Sequence, residues 1–267
     1  MTPDEISLAF RTARLAATPL PGYPGDRVPA TLSQAYDIQE VSIAAWPVRL
    51  SGWKVAAIQP QWRETYPAER VYGPVFARSV LLAAADAVDF PVIKGGYAAA
   101  EAEFALRLGD GFPLHTRFEN ASDLQPFVAA VHAAIEIAGS PLPTLSSLGP
   151  GAVISDFGNN LGLAVGPELP KFFERDLADW RVETDINGAL VGSGSADRIP
   201  GGPLASLLFL ANSLAERGGT LRPGDWVSTG ASTGVHPMSV GDAVTVRFDG
   251  QQVLSLRAVA AAPAATS

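Results

Sequence analysis

The chain contains no cysteine among its 267 residues. Disulfide bonds, thiolate nucleophiles and zinc or iron–sulfur sites with cysteine ligands are therefore excluded. A cluster of lysine and arginine is also missing, and the formal net charge is −8 with a pI near 4.9. This balance disfavours nucleic acid and anionic membranes as partners, although a bound cation can reverse the local field and attract an anionic substrate.

Long hydrophobic runs are missing too, because no apolar stretch approaches about 18 residues, the length of a membrane-spanning helix. The first residues, Met1 to Glu5, are acidic where a secretory signal would be basic. We therefore expect no membrane partner and a cytoplasmic location. Hydrophobic residues make up 47% of the chain and charged residues 17%. This composition suits one large domain, or a small domain joined to a larger one.

Three segments are predicted from the distribution of helix and strand signals: a helical segment over residues 1–50, a larger strand-rich domain over residues 51–260 and a frayed tail over residues 261–267. In the first segment, Thr2 and Glu5 have the spacing of a capping box, as expected at the start of a helix. A second helix is predicted after a connecting segment that is rich in proline and glycine.

The larger domain contains several strand and turn signals. Asn187-Gly188 and Asp249-Gly250 each separate two apolar runs and have the composition of two-residue hairpin turns. Helices are predicted at only two places in this domain, near Asp123–Ile135 and from Pro203 onwards. This number is too low for a regular alternation of strands and helices, so the predicted fold class is α+β.

The most informative local feature is the alternating run from Ala100 to Leu108. As a strand, this run places apolar side chains on one face and Glu101 and Glu103 on the other. The two glutamates would then be about 7 Å apart at Cα and could share one hard cation, which prefers oxygen ligands. As a helix, which the composition also favours, the pair would be about 200° apart and could not share an ion. A solvated strand face is the third interpretation.

Several short motifs along the chain share their order and spacing with a known enzyme family. They are Ser51-Gly52-Trp53-Lys54-Val55, Tyr72-Gly73-Pro74-Val75-Phe76, Ala100-Glu101-Ala102-Glu103-Phe104, Ile135-Glu136-Ile137, Ile154-Ser155-Asp156-Phe157-Gly158-Asn159-Asn160, Asn187-Gly188, Leu210-Ala211-Asn212, and Gly224-Asp225 through Thr229-Gly230 to Thr233-Gly234. On these motifs, the chain resembles the 2-keto-4-pentenoate hydratase branch of the fumarylacetoacetate hydrolase superfamily. The resemblance implies a small N-terminal helical segment followed by a mixed β-roll, one bound Mg²⁺ or Mn²⁺, and a homo-oligomer.

The metal ligands that the resemblance implies are Glu101, Glu103 and Glu136. Glu136 is expected just after the helix predicted near Asp123–Ile135, where on its own it would be a surface carboxylate. Three carboxylates within about 4 Å of one another repel by roughly 4 kcal/mol per pair at an effective dielectric of 20. Such a cluster therefore needs a cation or a shared proton.

Lys54 and Asp156 are the catalytic residues that the resemblance implies. Lys54 has Gly52 and Ala56 beside it on one strand face, which would leave room for a ligand, and its role would be to contact the substrate and transfer protons. A strand lysine is otherwise a solvated residue. Asp156 and Asn159 would line the pocket or hold water, although a loop of this composition also bonds to its own backbone.

Substrate binding is expected to involve Lys54 and Ser155 together with a glycine-rich turn that carries Thr229, Gly230 and Thr233. The backbone amides of such a turn can hold a carboxylate, as nests do. A tight hairpin connection has the same composition, so that interpretation stays open. The expected partner is a small 2-oxo acid.

The favoured reaction is the addition of water to a 2-hydroxy-2,4-dienoate through a metal-stabilised enolate. A decarboxylase of an oxalocrotonate-like diacid would need a second carboxylate pocket, for which Arg107 is a candidate. An acylpyruvate-type carbon–carbon hydrolase and an inactive homologue that binds a 2-oxo acid are further alternatives. Two departures from the family pattern bear on this choice: Val71 stands where an aspartate is usual, and Gly139-Ser140-Pro141 replaces the usual Asp-Ser-Arg.

Overall fold

The structure is a computed structural model that describes residues 1–83 and 87–264. The helices over these residues are α1 (Pro3–Leu15), α2 (Leu32–Ala44), α3 (Pro150–Ser155) and α4 (Gly202–Glu216). The strands are β1 (Leu50–Ala57), β2 (Arg70–Phe76), β3 (Val80–Leu82), β4 (Val88–Val92), β5 (Tyr97–Leu108), β6 (Val128–Ser140), β7 (Asn160–Glu168), β8 (Arg181–Ile186), β9 (Ala189–Ser195), β10 (Trp226–Ser228), β11 (His236–Pro237), β12 (Ala243–Phe248) and β13 (Gln251–Ala260).

Two mixed sheets form the larger part of the molecule. The first has the order β2-β1-β10-β5-β6-β7-β3, with β11 paired to β5, and the second has the order β4-β13-β12-β8-β9. Three pairs are parallel, namely β1 with β10, β3 with β7 and β4 with β13. The predicted α+β class is confirmed. Within the described part of the chain, no helix combines the length and the apolar character needed to cross a membrane.

The N-terminal helices pack against the loop that follows β6. The predicted capping box opens α1: Thr2 Oγ1 accepts a hydrogen bond from Glu5 N at 3.3 Å, and the Glu5 carboxylate accepts one from Thr2 N at 2.7 Å. A small apolar core joins α1 and α2 to α3 and to residues before it. Its buried members are Ile6, Phe10, Ile38, Leu142, Leu145 and Ala152.

Strand β5 lies in the middle of the first sheet, and both of its faces are buried. The predicted core face carries Phe104, whose ring is 5.2 Å from the rings of Phe172 and Phe248. This face packs against the second sheet and belongs to the main apolar core. The opposite face carries Glu101 and Glu103, which are buried as well. The strand interpretation of this run is therefore confirmed, and its solvated-face alternative is wrong.

The helix predicted near Asp123–Ile135 is wrong. A short 3₁₀-helix, Ala121–Phe127, is followed directly by β6, which pairs with β5 on one side and β7 on the other. Pro126 interrupts any continuous helix at this point. The backbone of β6 pairs with both neighbours, and its β-branched residues Val131, Ile135 and Ile137 are buried on the faces of the sheet. This tertiary pairing and burial outweigh the helix preference of the alanines. Glu136 consequently lies within a central strand.

The two hairpins are confirmed. Asn187-Gly188 joins β8 to β9 and Asp249-Gly250 joins β12 to β13, with positive φ at all four residues. The helix predicted from Pro203 is α4. The frayed tail predicted over residues 261–267 stays a prediction; in its described part, Ala261 N donates to Val92 O at 2.9 Å and Ala264 N donates to Leu15 O at 2.7 Å. Residues 265–267 lie outside the described residues.

Candidate metal centre

Three glutamates of β5 and β6 lie close together on one face of the first sheet. Glu101 is directly opposite Glu136 in the antiparallel register, and Glu103 follows on the same face of β5. One carboxylate oxygen of each residue lies within 4.8 Å of the other two. Glu103 and Glu136 are 0% exposed, and Glu101 is 4% exposed. Strand pairing therefore brings the predicted ligand set together.

In two of these glutamates, neighbouring groups fix one carboxylate oxygen by hydrogen bonds and leave the other oxygen without a hydrogen bond. Glu103 Oε2 accepts hydrogen bonds from Ser228 Oγ at 2.5 Å and from Gly230 N at 2.8 Å. Glu136 Oε1 accepts one from Asn160 Nδ2 at 2.6 Å. Glu103 Oε1 and Glu136 Oε2 are buried without a hydrogen-bond partner among the described residues. Since such atoms are costly to leave unpaired, they indicate a ligand that the chain itself does not supply.

Burial dominates the acid–base behaviour of the cluster. Burial, together with the charge of Glu101, raises the pKa of Glu103 to about 8. Burial also raises the pKa of Glu101, and it raises the pKa of Glu136 well above its ordinary value. A divalent cation would replace the protons that these groups otherwise retain, and carboxylate oxygens are the ligands that Mg²⁺ and Mn²⁺ prefer. The donor atoms and their two free oxygens therefore fit a hard divalent cation.

Lys54 is the cation beside the cluster. Lys54 lies on β1, on the sheet face that carries the glutamates, and is 1% exposed. Its Nζ lies 3.8 Å from Glu136 Oε2 and donates a hydrogen bond to Asn159 Oδ1 at 2.9 Å. Burial acts to lower the pKa of Lys54, but the charges of the three glutamates together outweigh burial and raise this pKa above its ordinary value. Lys54 is therefore held as an ammonium ion.

The Asn159 side chain reaches Lys54 because the chain turns through the left-handed region just there. Phe157, Gly158 and Asn159 have φ values of 56°, 61° and 53°. This turn rests on Gly73 of β2, where an added Cβ would come within 2.2 Å of Phe157 O. Gly73 lies directly opposite Lys54 in the β1–β2 register. The absence of a side chain at Gly73 thus allows the turn to approach the lysine.

Asp156 and Ser155 lie at the start of this turn and bond to groups outside the glutamate cluster. Asp156 Oδ1 accepts a hydrogen bond from Arg14 Nε at 2.5 Å, and Oδ2 accepts one from Ser140 Oγ at 2.5 Å. Ser155 Oγ donates to a carbonyl of its own helix and accepts a hydrogen bond from Tyr23 Oη at 3.0 Å. Both residues are 1% exposed or less. Their contacts support the turn and do not reach the cluster.

The predicted glycine-rich turn contacts the cluster at one residue. Gly230 N–H does hold a carboxylate, as expected of a nest, but this carboxylate belongs to Glu103. Thr229 Oγ1 donates to a backbone carbonyl of β5 at 2.7 Å. Thr233 Oγ1 lies 2.8 Å from Thr184 Oγ1, in the second sheet. The two threonines therefore bond to protein groups that anchor the turn.

Three residues of the site receive no role from the sequence, although Asn160 stands in one of the family motifs. Ser228 and Asn160 fix the ligand carboxylates, as described above. Tyr97 lies on the glutamate face of β5, four residues before Glu101, and is half-buried. Burial raises the pKa of Tyr97, so its phenol is neutral. The period of β5 could have indicated Tyr97, whereas the pairing of β10 with β5, which delivers Ser228, has no local signal.

Arg107 and Val71, the two residues that bear on the choice of substrate, differ in their position relative to the cluster. Arg107 Cζ is 4.6 Å from the ring centre of Trp226. This position is about 13 Å beyond Glu103 along the strand, so Arg107 is not placed to bind a substrate carboxylate at the cluster. Val71 is 4% exposed and shares the sheet face of Lys54. An apolar side chain therefore stands beside the lysine.

Comparison with known proteins gives one family and several relatives. A family model described as fumarylacetoacetate (FAA) hydrolase C-terminal matches residues 57–258. A 4-oxalocrotonate decarboxylase of Pseudomonas sp. (strain CF600) is 32% identical over 106 residues, 40% of this chain and 40% of that protein. The match thus spans well under half of that relative. The TodF product hydratase of Pseudomonas putida is 29% identical over 229 residues, 82% of this chain and 81% of that protein.

Solved structures share the fold over most of the chain. The 4-oxalocrotonate decarboxylase from Pseudomonas putida G7, complexed with magnesium and adipate, has a TM-score of 0.77 at 22% identity, covering 96% of this chain and 97% of that one. Fumarylpyruvate hydrolase from Pseudomonas aeruginosa, in complex with Mn²⁺ and pyruvate, has a TM-score of 0.58 at 20% identity, covering 80% and 91%. At these identities the likeness concerns the fold.

Proposed function

Since the chain belongs to the fumarylacetoacetate (FAA) hydrolase family, we propose that it is a divalent-metal-dependent lyase that adds water to a 2-hydroxy-2,4-dienoate. The observation that carries this proposal is the buried group of three glutamates, with two free oxygens, beside a buried lysine ammonium. This arrangement suits a substrate that presents a carboxylate and an adjacent oxygen to a metal ion.

The metal would be Mg²⁺ or Mn²⁺, held by Glu101, Glu103 and Glu136, and these ions occur in solved structures that share the fold. When bound, the ion supplies Lewis-acid polarisation of the substrate C2 oxygen. The chain's own contribution is to orient the ligands. Ser228 fixes Glu103 and Asn160 fixes Glu136 through one oxygen each, which leaves the second oxygen of each carboxylate without a hydrogen bond and available to the ion.

Water addition requires several proton movements. In 2-hydroxypenta-2,4-dienoate, the 2-hydroxyl loses its proton while C5 gains one, which gives a 2-oxo-3-enoate. Water then adds its oxygen at C4 while C3 is protonated, which gives a 4-hydroxy-2-oxo acid. We assign these transfers to Lys54, whose ammonium is oriented by Asn159. In each step the ammonium donates the proton that carbon gains, at C5 and then at C3, and the amine so formed takes up the proton released by the 2-hydroxyl or by the added water. The ammonium also attracts the C1 carboxylate. Tyr97 offers a neutral hydroxyl on the same face, and Asp156 is assigned to support of the turn.

The charges around the cluster favour a substrate with a single carboxylate. Among the described residues, Lys54 is the basic side chain that forms an ion pair with the cluster. The Arg107 guanidinium instead stacks over the ring of Trp226. The second carboxylate of a diacid would therefore enter an acidic, buried region without a cationic partner. The hydratase relative, which matches over 82% of this chain, supports the same choice.

Decarboxylation of a 4-oxalocrotonate-like diacid is the second candidate, because the chain is 32% identical to such a decarboxylase over 106 residues. That reaction would use the same polarised C2 oxygen. Carbon–carbon hydrolysis of an acylpyruvate, and binding of a 2-oxo acid without turnover, rank below it. The homo-oligomeric state and the cytoplasmic location stay predictions.

One turnover assay separates these reactions. Purified protein is incubated with Mg²⁺ or Mn²⁺ and either 2-hydroxypenta-2,4-dienoate or a 2-hydroxymuconate-type diacid, while dienol absorbance, CO₂ and product masses are followed. Gain of one water by the monoacid is the expected result. Release of CO₂ from the diacid would support the second candidate, and two carbon fragments would indicate hydrolysis. Binding of oxalate without turnover of any substrate would contradict a catalytic role.

A further inference from the structure

The guanidinium of Arg14 is buried against the turn that carries Asn159 and Asn160, although Arg14 belongs to the N-terminal helix α1. Its side chain is 6% exposed and its ion-pair partner, the Asp156 carboxylate, is 0% exposed. Arg14 and Asp156 are 142 residues apart in the chain. The contact therefore joins the N-terminal segment directly to the support of the site.

Arg14 binds both ends of the left-handed turn described above. Before the turn, Nε donates to Asp156 Oδ1 at 2.5 Å and Nη2 donates to Asp156 O at 3.2 Å. After the turn, Nη1 donates to Asn160 O at 2.9 Å. Nη2 also donates to Gly139 O at 2.9 Å, in the strand that carries Glu136. One planar group thus fixes the two ends of the turn relative to the strand of the third ligand.

The turn requires such support because its backbone conformation is rare. Phe157 and Asn159 both lie at positive φ, and a bulky residue such as phenylalanine seldom adopts this region. The Phe157 ring is held by Trp46 and Phe76, at centroid distances of 5.2 and 5.0 Å. Arg14 Cζ lies 5.2 Å from the centre of the same ring. Arg14 therefore constrains the turn through its backbone and through its aromatic residue.

We propose that Arg14 is a positioning residue for the metal centre, because it holds the turn in the conformation that presents Asn159 to Lys54 and Asn160 to Glu136. The inference deepens the proposed function and rests on it for its catalytic consequence. The two asparagines are adjacent, so relaxation of the turn removes both contacts together. Lys54 would lose its acceptor at 2.9 Å and Glu136 its donor at 2.6 Å.

The test compares variants by amide hydrogen exchange and by Mn²⁺ affinity. Arg14→Lys keeps the charge but lacks the planar fork that reaches three carbonyls. The double variant Arg14→Met with Asp156→Asn avoids leaving a buried unpaired carboxylate. Arg11→Met is the matched control, because Arg11 lies on the same helix and bonds to Ser7 Oγ and Ala45 O, away from the site.

In the metal-free protein, both Arg14 variants should exchange the amides of residues 156–160 about tenfold faster than wild type, since local opening becomes easier. Calorimetry should show Mn²⁺ binding weakened about 10–100-fold, the range for loss of groups that orient metal ligands. Arg11→Met should leave both quantities at the wild-type level. Loss of turnover should accompany the loss of Mn²⁺ affinity.

Wild-type exchange at residues 156–160 in a folded Arg14 variant would overturn the inference. Uniformly faster exchange across the chain with unchanged Mn²⁺ affinity would overturn it as well, because this pattern describes a general loss of stability. Turnover is a separate question. If wild type converts neither dienoate substrate, the proposed function fails, whereas the exchange and Mn²⁺ measurements still decide the role of Arg14.

Discussion

Mn²⁺ or Mg²⁺ should raise the melting temperature of this protein, and Glu103→Gln should remove the increase. The three ligand carboxylates place oxygens within 4.8 Å of one another. If all were ionised, each pair would repel by about 3.5 kcal/mol at an effective dielectric of 20. Three such pairs sum to about 10 kcal/mol, which is comparable with the stability of a whole domain, about 5–15 kcal/mol. The metal-free protein must therefore retain protons that a divalent ion can replace.

The expected shift follows from linkage. An ion present at about 100 times its Kd contributes about 2.7 kcal/mol to the free energy of unfolding. At about 2–4 °C per kcal/mol, the melting temperature should rise by about 5–10 °C. Glu103→Gln keeps the shape of the side chain but removes one anionic ligand, so its shift should fall below about 2 °C. Its metal-free melting temperature should equal or exceed that of wild type, because the variant no longer buries an ionisable group whose pKa is about 8.

Differential scanning calorimetry in EDTA and in millimolar Mn²⁺ measures these quantities. Glu119→Gln is the matched control, because Glu119 is exposed and lies outside the cluster. The control should show the full wild-type shift. The reasoning is refuted if wild type shows no shift, or if Glu103→Gln shows the same shift as wild type and the control.

Three further outcomes are expected. In EDTA, the melting temperature should fall as pH rises from about 5 to 8: the pKa of Glu103 is about 8 in the folded protein against an ordinary 4.5, so the folded state binds more protons than the unfolded state in this window. A melting temperature that increases over the same window would contradict this sign. Lys54→Met should lower kcat by about 10²–10⁴-fold, the range for loss of a proton-transfer group, while calorimetry still detects Mn²⁺ binding; an unchanged kcat would exclude the assigned role. Asn160→Ala should weaken Mn²⁺ binding by about 10–100-fold, since Glu136 Oε1 loses its donor at 2.6 Å, and an affinity equal to that of wild type would show that this hydrogen bond does not orient the ligand.

Local signals were sufficient for those parts of the fold that local chemistry determines. The alternation around Glu101 predicts β5 and its two faces, and the Asn187-Gly188 and Asp249-Gly250 pairs predict two hairpins, because each depends on neighbouring residues alone. The segment Asp123–Ile135 was predicted wrongly for the opposite reason. Its alanines favour helix, and only the pairing of β6 between β5 and β7 makes it a strand.

The same distinction applies to the site. The ligand glutamates could be found because two share one strand face and all three stand in motifs. Their supporting residues are distant in sequence, since Ser228 is 125 residues from Glu103 and Arg14 is 142 residues from Asp156. Asp156 shows the consequence most clearly. Its motif marked it for the site, but its contacts with Arg14 and Ser140, which only the folded topology supplies, place it in the support of the turn.

Val71 stands where the family that the chain resembles usually has an aspartate. An uncharged residue at this position is consistent with the charge balance of the metal centre. Three ionised ligand carboxylates carry −3, and a divalent ion together with the Lys54 ammonium supplies +3. An aspartate at position 71 would stand on the Lys54 face, at a place that is 4% exposed. It would add a fourth buried negative charge with no second ion-paired cation at the cluster among the described residues, which is costly. With valine the loaded centre is neutral, so a monoanionic substrate brings it to −1 and a diacid to −2. Under the proposed function, this balance favours the monoacid, and the proton transfers are assigned to Lys54 and water.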